Sequence, residues 1–360
     1  MYKAVQNAFS LTSRGAVGPR SRRNRLEDIA RHAGVGVATV DRVLNERGGV
    51  SEKTTAKVLA SARSLGTKRV LPSNRKRRLS IEAVLFRDHS AFYSRLNQAL
   101  KEVTKLADIP ATIYRTHIDV GDPERLITHL ESVAENRDGV ILFASDLPQI
   151  SDAIDRLADQ TTIVTISTDI PDSSRHCYIG IDNFNAGQSV AKISEAICRK
   201  GGRILVIEPD PSARAQMERF SGFQQFFANR GEEGKLCRFH QTKPLTLALG
   251  EVVTFLQAET DVRVLYSPIN NEFLEMLVEA GRHETAISSV AKIVHDLSPH
   301  SIKNLQTGLI DIVLDSNPMQ QVLQAVAFIS EQHGYLAALD SSVVDFQLYT
   351  SDNLPRTQFI

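Results

Sequence analysis

Several polar residues stand just beyond short apolar runs, where a strand would end. Asp88 and His89 follow IEAVLF, Asp169 follows TTIVTIST, Asn270 follows RVLYSP, and Asp296 closes AKIVHD. Arg219 lies in RFSGF. A carboxylate accepts hydrogen bonds from two hydroxyls and an arginine donates to a third oxygen, so this set suits charge-assisted recognition of a polyol. The competing reading for each carboxylate is a helix N-cap, an ordinary role for Asp. Phe92 and Tyr93 follow the first apolar run, and their bland reading is core packing.

A second chemistry is written at the N-terminal end. The chain has 360 residues and zero formal net charge, but residues 1–80 hold 18 Lys/Arg against 5 Asp/Glu, and the rest hold 24 against 37. Such a split points to a nucleic-acid-binding segment joined to something else. LEDIARHAG, VATVDRVLN and SEKTTAKVLASARSLG read as three short helices. Leu26, Ile29, Ala30 and Ala33 share one face of the first, and Val37, Val40, Val43 and Leu44 one face of the second. Ser51 is an expected N-cap for the third. Two helices joined by a Gly-containing turn form a helix-turn-helix, whose second helix enters a major groove of double-stranded DNA. Val37 and Ala38 open that helix and suit a thymine methyl. Arg42 suits a bidentate contact with guanine, while Thr39 and Asn45 suit phosphates.

Other chemistries find little support. No GxSxG, GxGxxG or P-loop GK[ST] occurs, so no catalytic residue and no cofactor is expected. His295, Asp296 and His300 are the nearest approach to a metal set. The four-residue gap between the histidines is broken by Ser-Pro, and no Cys or Glu completes it, so no metal is expected. Cys177, Cys198 and Cys237 are an odd number without CxxC spacing, which fits a reducing compartment such as the cytoplasm. No apolar run reaches the roughly 18 residues of a membrane span.

The elements that would hold these residues alternate. From residue 80, about ten short β-branched runs are separated by amphipathic stretches such as SRLNQALKEVTKLA and VLQAVAFISEQHG. That alternation predicts parallel, doubly wound α/β sheets, and ten strands exceed one sheet of usual size, so two lobes are expected. Ligands bind beyond the carboxyl ends of such strands, in a cleft between the lobes. The expected organisation is a disordered basic extension (1–25), a small all-α helix-turn-helix headpiece (26–66), a basic hinge (67–80) and an effector domain (81–360).

The stretch LEDIARHAGVGVATVDRVLNERGGVSEKTTAKVLASARSLG resembles the headpiece of the LacI/GalR transcription regulators. The remainder is similar, more loosely, to the type I periplasmic-binding-protein fold in its ribose-binding branch, through IDNFNAGQSVA, RAQMERFSGF and HDLSPHSIKNLQTGLIDIVLDSNPMQQV. The resemblance implies lobe 1 over about 81–182 and 317–340, and lobe 2 over about 183–316 and 341–360. The crossings then fall near Asp182-Asn183, Ser316-Asn317 and Asp340-Ser341. It also implies an effector site of Asp88, His89, Phe92, Tyr93, Asp169, Arg219, Asn270, Asp296 and Ser316, with the two aromatic rings stacked on a sugar face. Ser316 stands where the family often has Gln, which leaves room or calls for a water. Asp41 stands where the family usually has Ser, and is expected to pair with Arg42 or a cytosine amine. The hinge lacks the family's alanine-rich run and carries Pro72, leaving Leu71 or Leu79 as candidate minor-groove wedges.

The resulting expectation is a sequence-specific DNA-binding transcription regulator, a repressor. It would act as a cytoplasmic homodimer on a pseudo-palindromic operator and answer to a small sugar or polyol. The alternative is a sugar-binding protein of a transporter or a sugar-modifying enzyme. The basic front end and the missing secretory signal argue against that alternative.

Overall fold

The structure is a computed structural model that describes residues 26–45, 47–65, 78–87, 90–106, 110–241, 244–269, 271–335 and 343–355. The expected extension at 1–25, most of the hinge with Leu71, the site residues Asp88, His89 and Asn270, and the crossing at 340–341 lie outside the described residues. The chain divides into two compact units, Met1–Arg75 and Lys76–Ile360.

The first unit is a three-helix cluster of α1 (Leu26–Ala33), α2 (Val37–Leu44) and α3 (Glu52–Ser64). Gly34 takes a left-handed φ of 61°. That turn lets the Val35 N–H reach back to the Ala30 carbonyl, a helix stop for which glycine is the least costly residue. Ile29, Ala33, Val40, Leu44, Val58 and Ala62 fill the small core. Ser51 caps α3, its hydroxyl accepting the Thr54 N–H at 3.3 Å. Val37 departs from the expected stripe: it opens α2 with 41% of its surface exposed, outside that core.

The second unit holds two sheets. The first is wholly parallel, with order β2-β1-β3-β4-β5, from β1 (Leu79–Arg87), β2 (Ala111–Asp119), β3 (Gly139–Phe143), β4 (Thr162–Ile166) and β5 (Cys177–Ile179). The helices α4 (Ala91–Leu106), α5 (Pro123–Ala134) and α6 (Pro148–Leu157) connect its strands. The second sheet has order β11-β10-β9-β8-β6-β7, from β6 (Arg203–Glu208), β7 (Leu236–His240), β8 (Val262–Ser267), β9 (Ala291–His295), β10 (Ile312–Asp315) and β11 (Gln347–Tyr349). Between its strands run α8 (Arg214–Ala228), α9 (Leu245–Ala258), α10 (Glu272–Ala280), α11 (Thr285–Ser288) and α12 (Pro299–Gln306). All ten runs read from the sequence are strands. The unforeseen eleventh, β11, is a three-residue edge strand antiparallel to β10.

The chain leaves the first sheet after β5 into α7 (Asn183–Ile197), capped by Asp182 and packed on α8. It returns through α13 (Pro318–Gln332), which packs on α4 and β4 of the first sheet. The inner parallel strands are buried on both faces, so β1 and β4 read as nearly continuous apolar runs rather than alternations. Leu79 is one of these core residues, 3% exposed as the first residue of β1, which corrects its candidacy as a minor-groove wedge.

Candidate effector cleft and DNA-reading helix

A close helix crossing sets the first cleft residue. A Cβ built on Gly187 of α7 would lie 1.9 Å from the Arg219 carbonyl oxygen, and one on Gly222 of α8 would lie 2.0 Å from the Phe184 carbonyl oxygen. The two backbones therefore touch, which only glycine permits, and Arg219 is carried inward on α8. Its Nε donates to Asn183 Oδ1 at 2.8 Å, its Nη2 to Ser316 Oγ at 3.1 Å, and its Nη1 to the Pro268 carbonyl at 3.4 Å. Nη1 also lies 3.5 Å from Asp296 Oδ2, with both side chains buried. Ser316 Oγ donates to Asp296 Oδ1 at 2.6 Å. The Ser at 316 thus locks the arginine and the carboxylate to one another.

Backbone strain gathers at the same place. The non-glycine residues with left-handed φ are Ser167 (67°), Asp296 (62°) and Asn317 (51°) among the described residues. They lie just past the ends of β4, β9 and β10. Such conformations cost roughly 1–3 kcal/mol each and persist where the surroundings over-determine them. Here side chains do so: Ser167 Oγ donates to Gln321 Oε1 at 2.7 Å, and Gln321 Nε2 donates to the Ser316 carbonyl at 2.6 Å. Asn317 caps α13 by accepting the Gln320 N–H.

These groups wall a cavity of about 200 Å³ beyond the carboxyl ends of strands of both sheets. Of the residues expected to bind effector, Phe92, Arg219, Asp296 and Ser316 line it. Tyr93 does not. It is 8% exposed, packs in the core, and its hydroxyl meets His117 Nδ1. Successive helical residues sit about 100° apart, so Phe92 and its neighbour cannot both face the cleft. Asp169 is also corrected: it sits outside the cavity lining, held by the Arg175 guanidinium, by Thr165 Oγ1 at 3.1 Å and by the Ile170 N–H at 2.8 Å. The left-handed turn at Ser167 gives Ser167 and Thr168 to the cavity in its stead.

Other site residues were not foreseen. Arg214 lines the cavity and pairs with Asp146 at 2.7 Å and Glu218 at 2.9 Å. Burial pushes the Glu218 carboxyl above its ordinary range, against the pull of Arg214. Phe86 and Phe143 line it from the ends of β1 and β3. Their signal was present, since each is the last or next-to-last residue of a strand facing the cleft. Arg95 of α4 reaches Asp315 with two bonds, 2.5 and 3.1 Å, joining the first sheet's helices to the second sheet. Behind Asp296, His295 is wholly buried against the Tyr266 hydroxyl at 3.0 Å. Burial, and then the nearby Arg219 charge, hold its imidazole well below the usual histidine range, so it is neutral.

In the first unit, α2 presents Val37, Ala38 and Arg42 to solvent. Asp41 pairs with Arg47, at 2.9 Å, rather than with Arg42, one of its two expected partners. Asn45 Nδ2 donates to the other Asp41 oxygen at 2.7 Å. The carboxylate is thereby drawn toward the helix C-terminus and Arg42 keeps no carboxylate partner among the described residues. Asn45, expected to reach a phosphate, has its amide engaged on Asp41.

A solvent-facing reading helix on one unit and a two-sheet cleft on the other define a DNA-binding regulator with a ligand-binding module. Residues 25–67 match the lacI family of bacterial regulatory proteins, and residues 83–333 match the periplasmic binding protein domain. The chain belongs to the LacI family of transcription regulators, with a periplasmic-binding-protein domain behind its headpiece. The sucrose operon repressor of Streptococcus mutans is 27% identical over 292 residues, 78% of this chain and 84% of that one. The transcriptional regulator RegA of Clostridium saccharobutylicum is 32% identical over 144 residues, 39% of this chain and 42% of that one. Among solved structures, GanP, a glucose-galactose binding protein from Geobacillus stearothermophilus, shares the fold with a TM-score of 0.63 at 18% identity, over 78% of this chain and 100% of that one. No described helix is long and apolar enough to cross a membrane.

Proposed function

We propose that this chain is a cytoplasmic, sequence-specific repressor whose operator affinity is set by a small carbohydrate-like effector held in the cleft. Residues 26–66 serve as the headpiece, the stretch from 67 to the start of β1 as the hinge, and the chain from Leu79 onward as the effector domain. Arg42 reads guanine, Val37 and Ala38 touch bases, and Thr39 positions the helix on phosphate. A lone headpiece makes few contacts, so two copies related by a two-fold axis read a pseudo-palindromic operator. The cleft works by binding rather than catalysis: Asp296 accepts effector hydroxyls, Arg219 and Ser316 hold that carboxylate in place, and Phe92 covers a ring face. The observation that carries the reading is the buried Arg219–Ser316–Asp296 cluster opening on a cavity that both sheets line, in one chain with the exposed α2 helix. The sucrose operon repressor among the relatives supports a sugar effector. Coupling of about 1–3 kcal/mol between the sites changes operator affinity roughly 5–150-fold.

The test is operator selection from a random DNA pool followed by binding titrations with and without effector. Arg42→Ala is expected to relax preference at one guanine per half-site, costing about 1–3 kcal/mol there. Asp296→Asn keeps DNA binding and loses the effector response. An Asp296→Asn protein that answers the same effector at unchanged concentration overturns the cleft assignment.

A further inference from the structure

The cleft has two unlike walls. The first sheet, its helices and the loops after its strands contribute the apolar Phe86, Phe92, Val120, Phe143 and Ala144, together with the hydroxyls of Ser90, Ser145, Ser167 and Thr168. The Phe92 and Phe143 rings lie 6.1 Å apart, tilted 55° to each other, and pack together as an apolar patch. The opposite wall is polar and carries Arg214, Arg219, Asp296 and Ser316. Its charges are already matched within the protein: Arg219 stands against Asp296, and Arg214 stands against Asp146 and Glu218. A charged group entering there competes with these pairs, and the Arg219–Asp296 pair, with both side chains buried, is costly to break. A hydroxyl or amide needs no counter-ion. On the other side, a hydroxyl pressed against Phe86 and Phe143 loses its water without gaining a partner from those rings. The volume of about 200 Å³ suits one ring with a few substituents, since a cavity near 150 Å³ accepts benzene.

We propose that the effector is a neutral, two-faced ring compound, hydroxylated on one edge and apolar on the other. A deoxyhexose or a small alkyl or aryl glycoside has this chemistry, whereas a fully hydroxylated hexose or a sugar phosphate does not. The proposal rests on the reading of this cleft as the effector site.

The experiment is thermal unfolding and calorimetric binding of the full chain with matched pairs: L-rhamnose against L-mannose, phenyl glucoside against glucose, with glucose phosphate and the nucleoside inosine added. The less polar member of at least one pair is expected to bind roughly tenfold more tightly than its parent, from burial of a methyl or ring and relief of one stranded hydroxyl. Phe143→Tyr places a hydroxyl beside the Phe92 ring and is expected to narrow or reverse that preference, with cooperative unfolding of the ligand-free protein as the check on folding. A parent sugar binding as tightly as its less polar partner, or the phosphate binding best, overturns the proposal and leaves the cleft assignment standing. Inosine alone binding keeps the neutral two-faced effector and overturns the carbohydrate reading. Silence from the whole panel overturns both.

Discussion

The bond between Arg95 and Asp315 links two parts of the chain 220 residues apart and is the contact whose removal is most readily worked out. The guanidinium on α4 is 10% exposed and the carboxylate at the end of β10 is 3% exposed. Nη1 donates to Oδ1 at 2.5 Å, Nη2 to Oδ2 at 3.1 Å, and Nη1 also to the Leu297 carbonyl at 3.1 Å. Arg95→Met keeps much of the stem's volume and removes all three donations. Breaking a buried pair in this way costs about 3–5 kcal/mol, because the surviving charge is left in a shielded place. Asp315 would not be left bare: the Leu297 N–H at 2.9 Å and the Asn317 N–H at 3.1 Å still reach it. Bonds to a charged acceptor are worth about 1.5–3 kcal/mol each, so the loss falls at the low end, about 3 kcal/mol. Urea unfolding of the wild type, Arg95→Met, Asp315→Asn and the double variant closes a cycle, with an expected coupling of about 1.5–3 kcal/mol. The same variant should also change effector affinity, since the bond ties a helix on the first sheet to a strand end of the second. A coupling under about 0.5 kcal/mol would refute the claim that this pair joins the two halves of the cleft.

Two further predictions follow from the neighbourhood of Arg219. Gly222→Ala forces a Cβ into the Phe184 carbonyl, 2.0 Å away, so α7 and α8 must separate; the expected loss is at least about 1–3 kcal/mol in urea unfolding, with weakened effector binding, and a variant as stable as wild type sinks the close-crossing argument. His295 is held neutral in the folded chain, well below its ordinary 6.5, while the unfolded chain takes up the proton near that value. The unfolded state then binds more protons below about pH 6.5, so this residue's contribution is intact above that pH and is lost as pH falls. Wild type should lose up to about 1.4 kcal/mol per pH unit there relative to His295→Gln, and parallel stability curves for the two proteins would contradict it.

What the sequence revealed of this site follows from how local the determining contacts are. Asp296 was legible because it follows a strand end, where ligands bind in a parallel α/β sheet, whereas Ser316 was legible only through the family likeness. Arg219 was legible through its motif, and the two glycines of that helix crossing explain why the motif matters: Gly187 and Gly222 let the backbones touch and fix where the arginine points. Asp169 misled for a reason that is also local but invisible to periodicity. A single left-handed residue, Ser167, turns the chain so that Ser167 and Thr168 take the cleft and the carboxylate swings to Arg175. Tyr93 misled by one helical step, since a 100° rotation separates the cleft-facing Phe92 from the core-facing Tyr93; Val37, the first residue of α2, is left outside the core that Val40 and Val43 enter. Arg95 and Asp315 left no trace at all, since an arginine on an amphipathic helix reads as solvated until a strand end far along the chain is brought against it. The legible residues are thus those whose role is set by their own element. Arg95 and Asp315 are instead set by another element's approach, and theirs is a contact that joins the two sheets.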